Sequence, residues 1–141
     1  LASVRPGDWR MRMSTRYGLT GIAALGLLTA GHQLRGMGLS PQATRDYLMG
    51  VLPNFSAAIA ITFVLLSIWR DQNSGVGFIL VKRAFLICAS ISGFGLLAWE
   101  LFQKTSSRLV FDPHEVGATA IGIGAATVLF FLLSLRRAEE P

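Results

Sequence analysis

Side chains able to hold a polar ligand gather in one segment, WELFQKTSSRLVFDPHEVGATAIGIG, residues 99–124. Glu100 and Gln103 are three residues apart, so on a helix they share one face. Arg108 follows, then Asp112, His114 and Glu115, then Thr119 one helical turn further on. Together they offer carboxylate acceptors, an amide, a guanidinium and a hydroxyl, the donor and acceptor set that recognises a polar head group, a sugar or a peptide. Three readings stand side by side. Asp112 and Glu115 could serve only to cap a helix while Glu100 and Arg108 form an interfacial ion pair. The groups could form a binding site, or a metal or catalytic centre. Asp112, His114 and Glu115 are metal-ligating types, but neighbours on one short turn with no distant further ligand do not make a metal site. No nucleophile elbow, phosphate-binding loop, dinucleotide fingerprint, CxxC or HExxH is present. We therefore expect no metal, no cofactor, no catalytic residue and no enzyme activity.

The elements that must position this segment are set by a scarcity of charge. Asp, Glu, Lys and Arg are absent from Tyr17 to Leu34, Tyr47 to Trp69, Ala84 to Trp99 and Val116 to Leu135. A helix crosses a bilayer with ~20 mainly apolar residues at ~1.5 Å each. The second and fourth stretches reach that length outright, and the first and third do so once flanking Arg35 or Lys82 snorkel. The expected fold is an all-α integral membrane protein, a single bundle of four transmembrane helices at about 17–35, 49–69, 82–102 and 114–135. A three-span alternative leaves the first stretch as a surface helix, since it is short and holds Gly18, Gly21, Gly26, Gly31 and His32.

The 141 residues are 52% hydrophobic and 15% charged, too few charges to coat a soluble globule. The net charge of +5 is spread as single or paired basic residues beside apolar runs, not as one basic face, so no nucleic-acid partner is expected. The lone Cys88 lies inside an apolar stretch and is expected in the core. Arg5, Arg10, Arg12 and Arg16 precede the first stretch as in a signal peptide, but no small-x-small site follows, so this run is expected to remain as the first helix.

With four spans, Arg5, Arg10, Arg12, Arg16, Arg70, Lys82, Arg83, Arg136 and Arg137 fall on one side, 9 of the 13 basic residues. Arg35, Arg45, Lys104 and Arg108 fall on the other. The positive-inside rule then puts both termini in the cytoplasm and the 99–115 segment outside. Trp9, Trp69 and Trp99 lie near span ends, where amphipathic rings settle.

Asp112, Pro113 and Glu115 have the order of N-cap, first helical position and capping-box partner. Ser40 and Pro41 give the same signal for a short interfacial helix over 41–50, and Pro53 is expected to break or kink the chain after it. Membrane helices approach through small residues. Ala118 with Gly122 and Ala89 with Gly93 are such pairs, predicting a tight hairpin between the third and fourth spans. The bulky 128–133 run is expected to face lipid or a partner. His32 is expected to be an ordinary hydrogen-bonding interfacial histidine.

The constellation Glu100, Gln103, Arg108, Asp112, Glu115, Thr119, Gly122 and Gly124 resembles that of the VanZ-like family of small integral membrane proteins. Their pattern is Glu-x-x-Gln closing one helix, an Arg, then paired acidic residues, a small polar residue and spaced glycines. LPNFSAAIAI, residues 52–61, resembles the start of an earlier span in such proteins. The resemblance covers about residues 45–125 and departs at Thr119, where the family often has Asn. It implies a multi-span protein of the cell envelope and no particular reaction.

Two functions compete. One is a non-catalytic protein of the bacterial cytoplasmic membrane, or a membrane derived from it, whose outward cluster binds a lipid-linked or glycopeptide ligand. The other is an accessory or scaffolding subunit of a larger respiratory or photosynthetic assembly, with membrane lipids and other membrane-protein subunits as partners. A small transporter is weakened by the lack of a charged residue at the middle of any span.

Overall fold

Four helices form where charge is scarce. In the computed structural model, which describes residues 12–37, 43–105 and 113–135, they are α1 (Met13–Gly36), α2 (Ala43–Gln72), α3 (Phe78–Thr105) and α4 (Pro113–Leu135). Three are long and apolar enough to cross a membrane, over Tyr47–Gln72, Phe78–Gln103 and Pro113–Leu135. These three helices make the chain a multi-pass membrane protein. On length and composition α1 is not among them.

α2 is the hub. It packs against all three other helices, and α4 leans on it more than on α3. Ser67 Oγ donates to the Ser14 carbonyl at 2.8 Å, and Gly31 abuts Leu52, so α1 runs antiparallel along α2. Ser92 Oγ donates to the Ala58 carbonyl at 3.1 Å, and Asn54 meets Glu100, which sets α3 antiparallel on another side. α4 is parallel to α2, with Glu115 near Asn54 and Gly122 against Phe55 and Ala58.

Each helix gives one aromatic ring to the core. Tyr17, Phe63, Phe85 and Phe130 are all at most 2% exposed. Phe85 and Phe130 stack at 4.3 Å, and Tyr17 lies 5.9 Å from Phe63 and 6.1 Å from Phe130. Offset rings at such distances contribute about 0.5–1.5 kcal/mol per pair beyond their buried area. Cys88 is buried in the same cluster. Phe130 corrects the expectation that the 128–133 run is wholly peripheral: Val128, Phe131 and Leu132 are exposed, while Phe130 is the centre of the bundle.

Two further expectations are overturned. α2 runs unbroken through Pro53, and residues 43–50 are its first turns, not a separate interfacial helix. Proline removes one N–H from the ladder, and membrane helices tolerate that when neighbouring helices hold the backbone. Leu52 is held by Gly31 of α1 and Phe55 by Gly122 of α4, on either side of Pro53. The tight α3–α4 hairpin is also corrected. A Cβ on Gly122 would come 2.7 Å from the Phe55 carbonyl oxygen and 2.8 Å from Ala58 Cβ, both on α2. A Cβ on Gly93 would meet Ile123 of α4 at 3.8 Å, an ordinary contact. Ala118 and Ala89 are buried.

Candidate functional site

The first turn of α4 begins with Pro113, whose fixed φ and missing N–H suit that position. Glu115 lies in this turn, and Thr119, one turn on, donates its hydroxyl to the Glu115 carbonyl at 3.1 Å. Glu100 approaches from the last turns of α3, and Asn54 from α2 one residue after Pro53. The three elements converge because α2 and α4 are parallel while α3 runs against both. That topology gathers the start of α2, the end of α3 and the start of α4 at one end of the bundle.

Asn54 joins the two carboxyl groups. Its Nδ2 donates to Glu100 Oε1 at 2.8 Å and lies 3.4 Å from Glu115 Oε2. Glu100 is only 1% exposed, and its second oxygen, Oε2, has no hydrogen-bond partner among the described residues. A buried acceptor left unsatisfied costs about 1–3 kcal/mol, more when it is charged. Ser56 Oγ, fully buried two residues beyond Asn54, is likewise without a partner among the described residues. Nearer the rim, Tyr47 Oη and His114 Nδ1 are 3.5 Å apart, and their rings meet edge to face at 5.3 Å.

Of the residues singled out by sequence, Glu100 and Glu115 are brought together on Asn54, whereas Thr119 bonds within its own helix. Gln103 is half-buried one turn beyond Glu100 and makes no hydrogen bond among the described residues. Arg108 and Asp112 lie outside the described residues, and with them the expected Glu100–Arg108 pair and the Asp112 cap. His32 is exposed and donates from Nδ1 to the Leu28 carbonyl at 3.2 Å, within its own helix.

Asn54 is the member that motif reasoning did not place in the site. It has a readable signal: an amide inside a long apolar run is costly in lipid unless it finds a partner. Buried Ser92 and Thr62 give the same signal, and both donate to the Ala58 carbonyl, at 3.1 and 2.7 Å. Among the described residues no group of His, Cys, Asp and Glu is arranged to hold a metal ion.

The arrangement accepts hydrogen bonds. Hydroxyl, amide or ammonium groups are the donors that Glu100 Oε2 can accept from. No family model, curated protein or solved structure matches the chain.

Proposed function

We propose that this is a non-catalytic, VanZ-like protein of the bacterial cytoplasmic membrane, or a membrane derived from it, that binds a lipid-linked or glycopeptide ligand. All four helices cross the bilayer, both termini are cytoplasmic, and the Asn54–Glu100–Glu115 end faces outward. Support for a crossing α1 comes from its neighbour. Its contacts with α2 run from Ser14 at Ser67 to Gly31 at Leu52. The 17 steps from Ser14 to Gly31 rise ~26 Å at ~1.5 Å per residue. A helix lying on the membrane surface could not follow a crossing helix over that length. Support for the orientation is the nine-to-four division of basic residues between the two ends.

One observation carries the ligand reading: the Oε2 of the buried Glu100, which has no partner among the described residues. Sugar hydroxyls and peptide amides are the donors this acceptor lacks, and a lipid-linked ligand reaches the site from the membrane side. The family resemblance adds the envelope context.

The test is native mass spectrometry of the protein purified in mild detergent with a lipid-linked glycopeptide added. We expect a lone protomer that gains the ligand's mass and loses that adduct on Glu100→Gln. Co-purifying large subunits with no ligand adduct would replace this reading by the accessory-subunit one.

A further inference from the structure

A second site lies at the opposite end of the bundle, where α1 begins, α2 and α4 end and α3 begins. A cavity of about 580 Å³ opens there, within the range of small-ligand sites. Arg70, in the last turn of α2, lines it. This residue is only 8% exposed. Its Nη1 donates to the carbonyls of Asn73 at 2.9 Å and Val76 at 3.3 Å, closing the short turn in which Gly75 adopts a φ of 91°. Nε and Nη2 have no partner among the described residues. Asp71, its neighbour in sequence, is exposed. Among the described residues this buried guanidinium meets only carbonyls and no counter-charge.

The same cavity is lined by Gly75, Val76, Gly77 and Phe78, the backbone leading into α3. Leu80 and Val81 make the first backbone bonds to the Gly77 carbonyl, so the amides of Phe78 and Ile79 precede the hydrogen-bonded ladder. The first turn of α3 contains no acidic residue to complement its positive end. Arginine donors and a helix amino end thus converge on one space with no anion supplied by the described residues. The remaining wall is apolar and includes Val81, Phe131 and Leu135, the last two exposed at the bundle's periphery.

We propose that this cavity binds the phosphate of an anionic membrane lipid. The phosphate lies on Arg70 and the amino end of α3, and an acyl chain follows Val81, Phe131 and Leu135. Arginine presents a planar fork that matches two phosphate oxygens. The apolar wall selects a lipid over a free anion. Loading would tie α2 to α3 at the turn and α4 alongside. The proposal is independent of the glycopeptide reading, since the two sites occupy opposite ends and share no residue.

The full chain, stripped of lipid in dodecyl maltoside, tests it by thermal unfolding and native mass spectrometry. The probes are phosphatidylglycerol, phosphatidylcholine and inorganic phosphate. We expect phosphatidylglycerol alone to raise the melting temperature by several degrees and to remain as a one-to-one adduct. Arg70→Gln should abolish both effects, whereas Lys82→Gln and Arg83→Gln, at exposed positions of the same end, should preserve them. If Arg70→Gln does not fold, Gly77→Phe takes its place. A Cβ at Gly77 meets nothing within 4 Å, so the ring can occupy the cavity with Arg70 intact, and the adduct should vanish. Equal stabilisation by phosphatidylcholine would overturn the proposal. So would an equal effect of inorganic phosphate, an equal loss in the Lys82 or Arg83 variants, or an adduct that survives Gly77→Phe.

Discussion

Gly122 of α4 sits so close to Phe55 of α2 that any Cβ would be driven to 2.7 Å from the Phe55 carbonyl oxygen. Backbone stands on the far side of that contact, so no flexible side chain can move away. Gly122→Ala should therefore cost about 1–3 kcal/mol, the usual penalty of overpacking. Gly93→Ala should be close to neutral, because its Cβ would meet Ile123 at 3.8 Å. Thermal unfolding of the two variants in detergent checks the contrast. Equal losses would mean that α4 approaches α3 and α2 alike.

The seam between α1 and α2 is built the same way. A Cβ on Gly21 would lie 2.8 Å from Val64 Cγ2 and 3.1 Å from the Val64 backbone nitrogen, whereas Gly26 has open space. Gly21→Leu should detach α1 and expose the Ser14–Ser67 contact, seen as faster backbone amide exchange along α1. Gly26→Leu should leave that exchange unchanged. Fast exchange throughout α1 in the parent protein would contradict the seam.

The helices were legible because lipid excludes unpaired charge: three of the four charge-free stretches are spans by length and composition, and α4 starts at the Pro113 that marks a helix entrance. Their partners were not legible. The small residues Ala118 and Gly122 advertise a close approach but not to which helix, and α2 rather than α3 receives Gly122. Pro53 suggested a break because a proline interior to a helix is costly in water, yet contacts to α1 and α4 flank it here. Glu100 was recognisable as a carboxylate in need of a partner. The cation expected to pair with it, Arg108, lies outside the described residues, and the described partner is an amide 46 residues away on α2. An asparagine in an apolar run signals the need for a partner, but only the topology shows that Asn54 meets Glu100.

Topology and burial can be read with one reagent. Cys88 is 7% exposed and packed in the core, so it should resist a membrane-permeant maleimide until the protein unfolds. In a Cys88→Ser background, a cysteine introduced at Ser106 should react with an impermeant reagent applied outside cells. One introduced at Ser74, in the turn between α2 and α3, should be protected. The reverse pattern would invert the proposed orientation, and labelling of both would reduce the number of crossings.

The hydrogen bond from Asn54 to Glu100 sets the expected outcome of the last experiment. Hydrogen bonds to charged groups contribute about 1.5–3 kcal/mol net, and removing one buried partner strands the other. Asn54→Leu should destabilise strongly, since Glu100 Oε1 would join Oε2 as an unsatisfied acceptor. Glu100→Leu should cost less, because Asn54 keeps the neighbouring Glu115 oxygen, 3.4 Å away. The double substitution should cost less than the two single ones together, because replacing both partners with apolar groups leaves no polar atom behind. A coupling of about 1.5–3 kcal/mol in a double-mutant cycle, measured by unfolding in lipid nanodiscs, is the expected result. Glu100→Gln provides the complementary readout. It preserves an acceptor for Asn54, so stability should change little, but it places an amide where Oε2 awaits a donor, and ligand binding should be lost. Additive effects in the cycle would show that the two side chains act separately, and the convergence of three helices on Glu100 would no longer argue for a site.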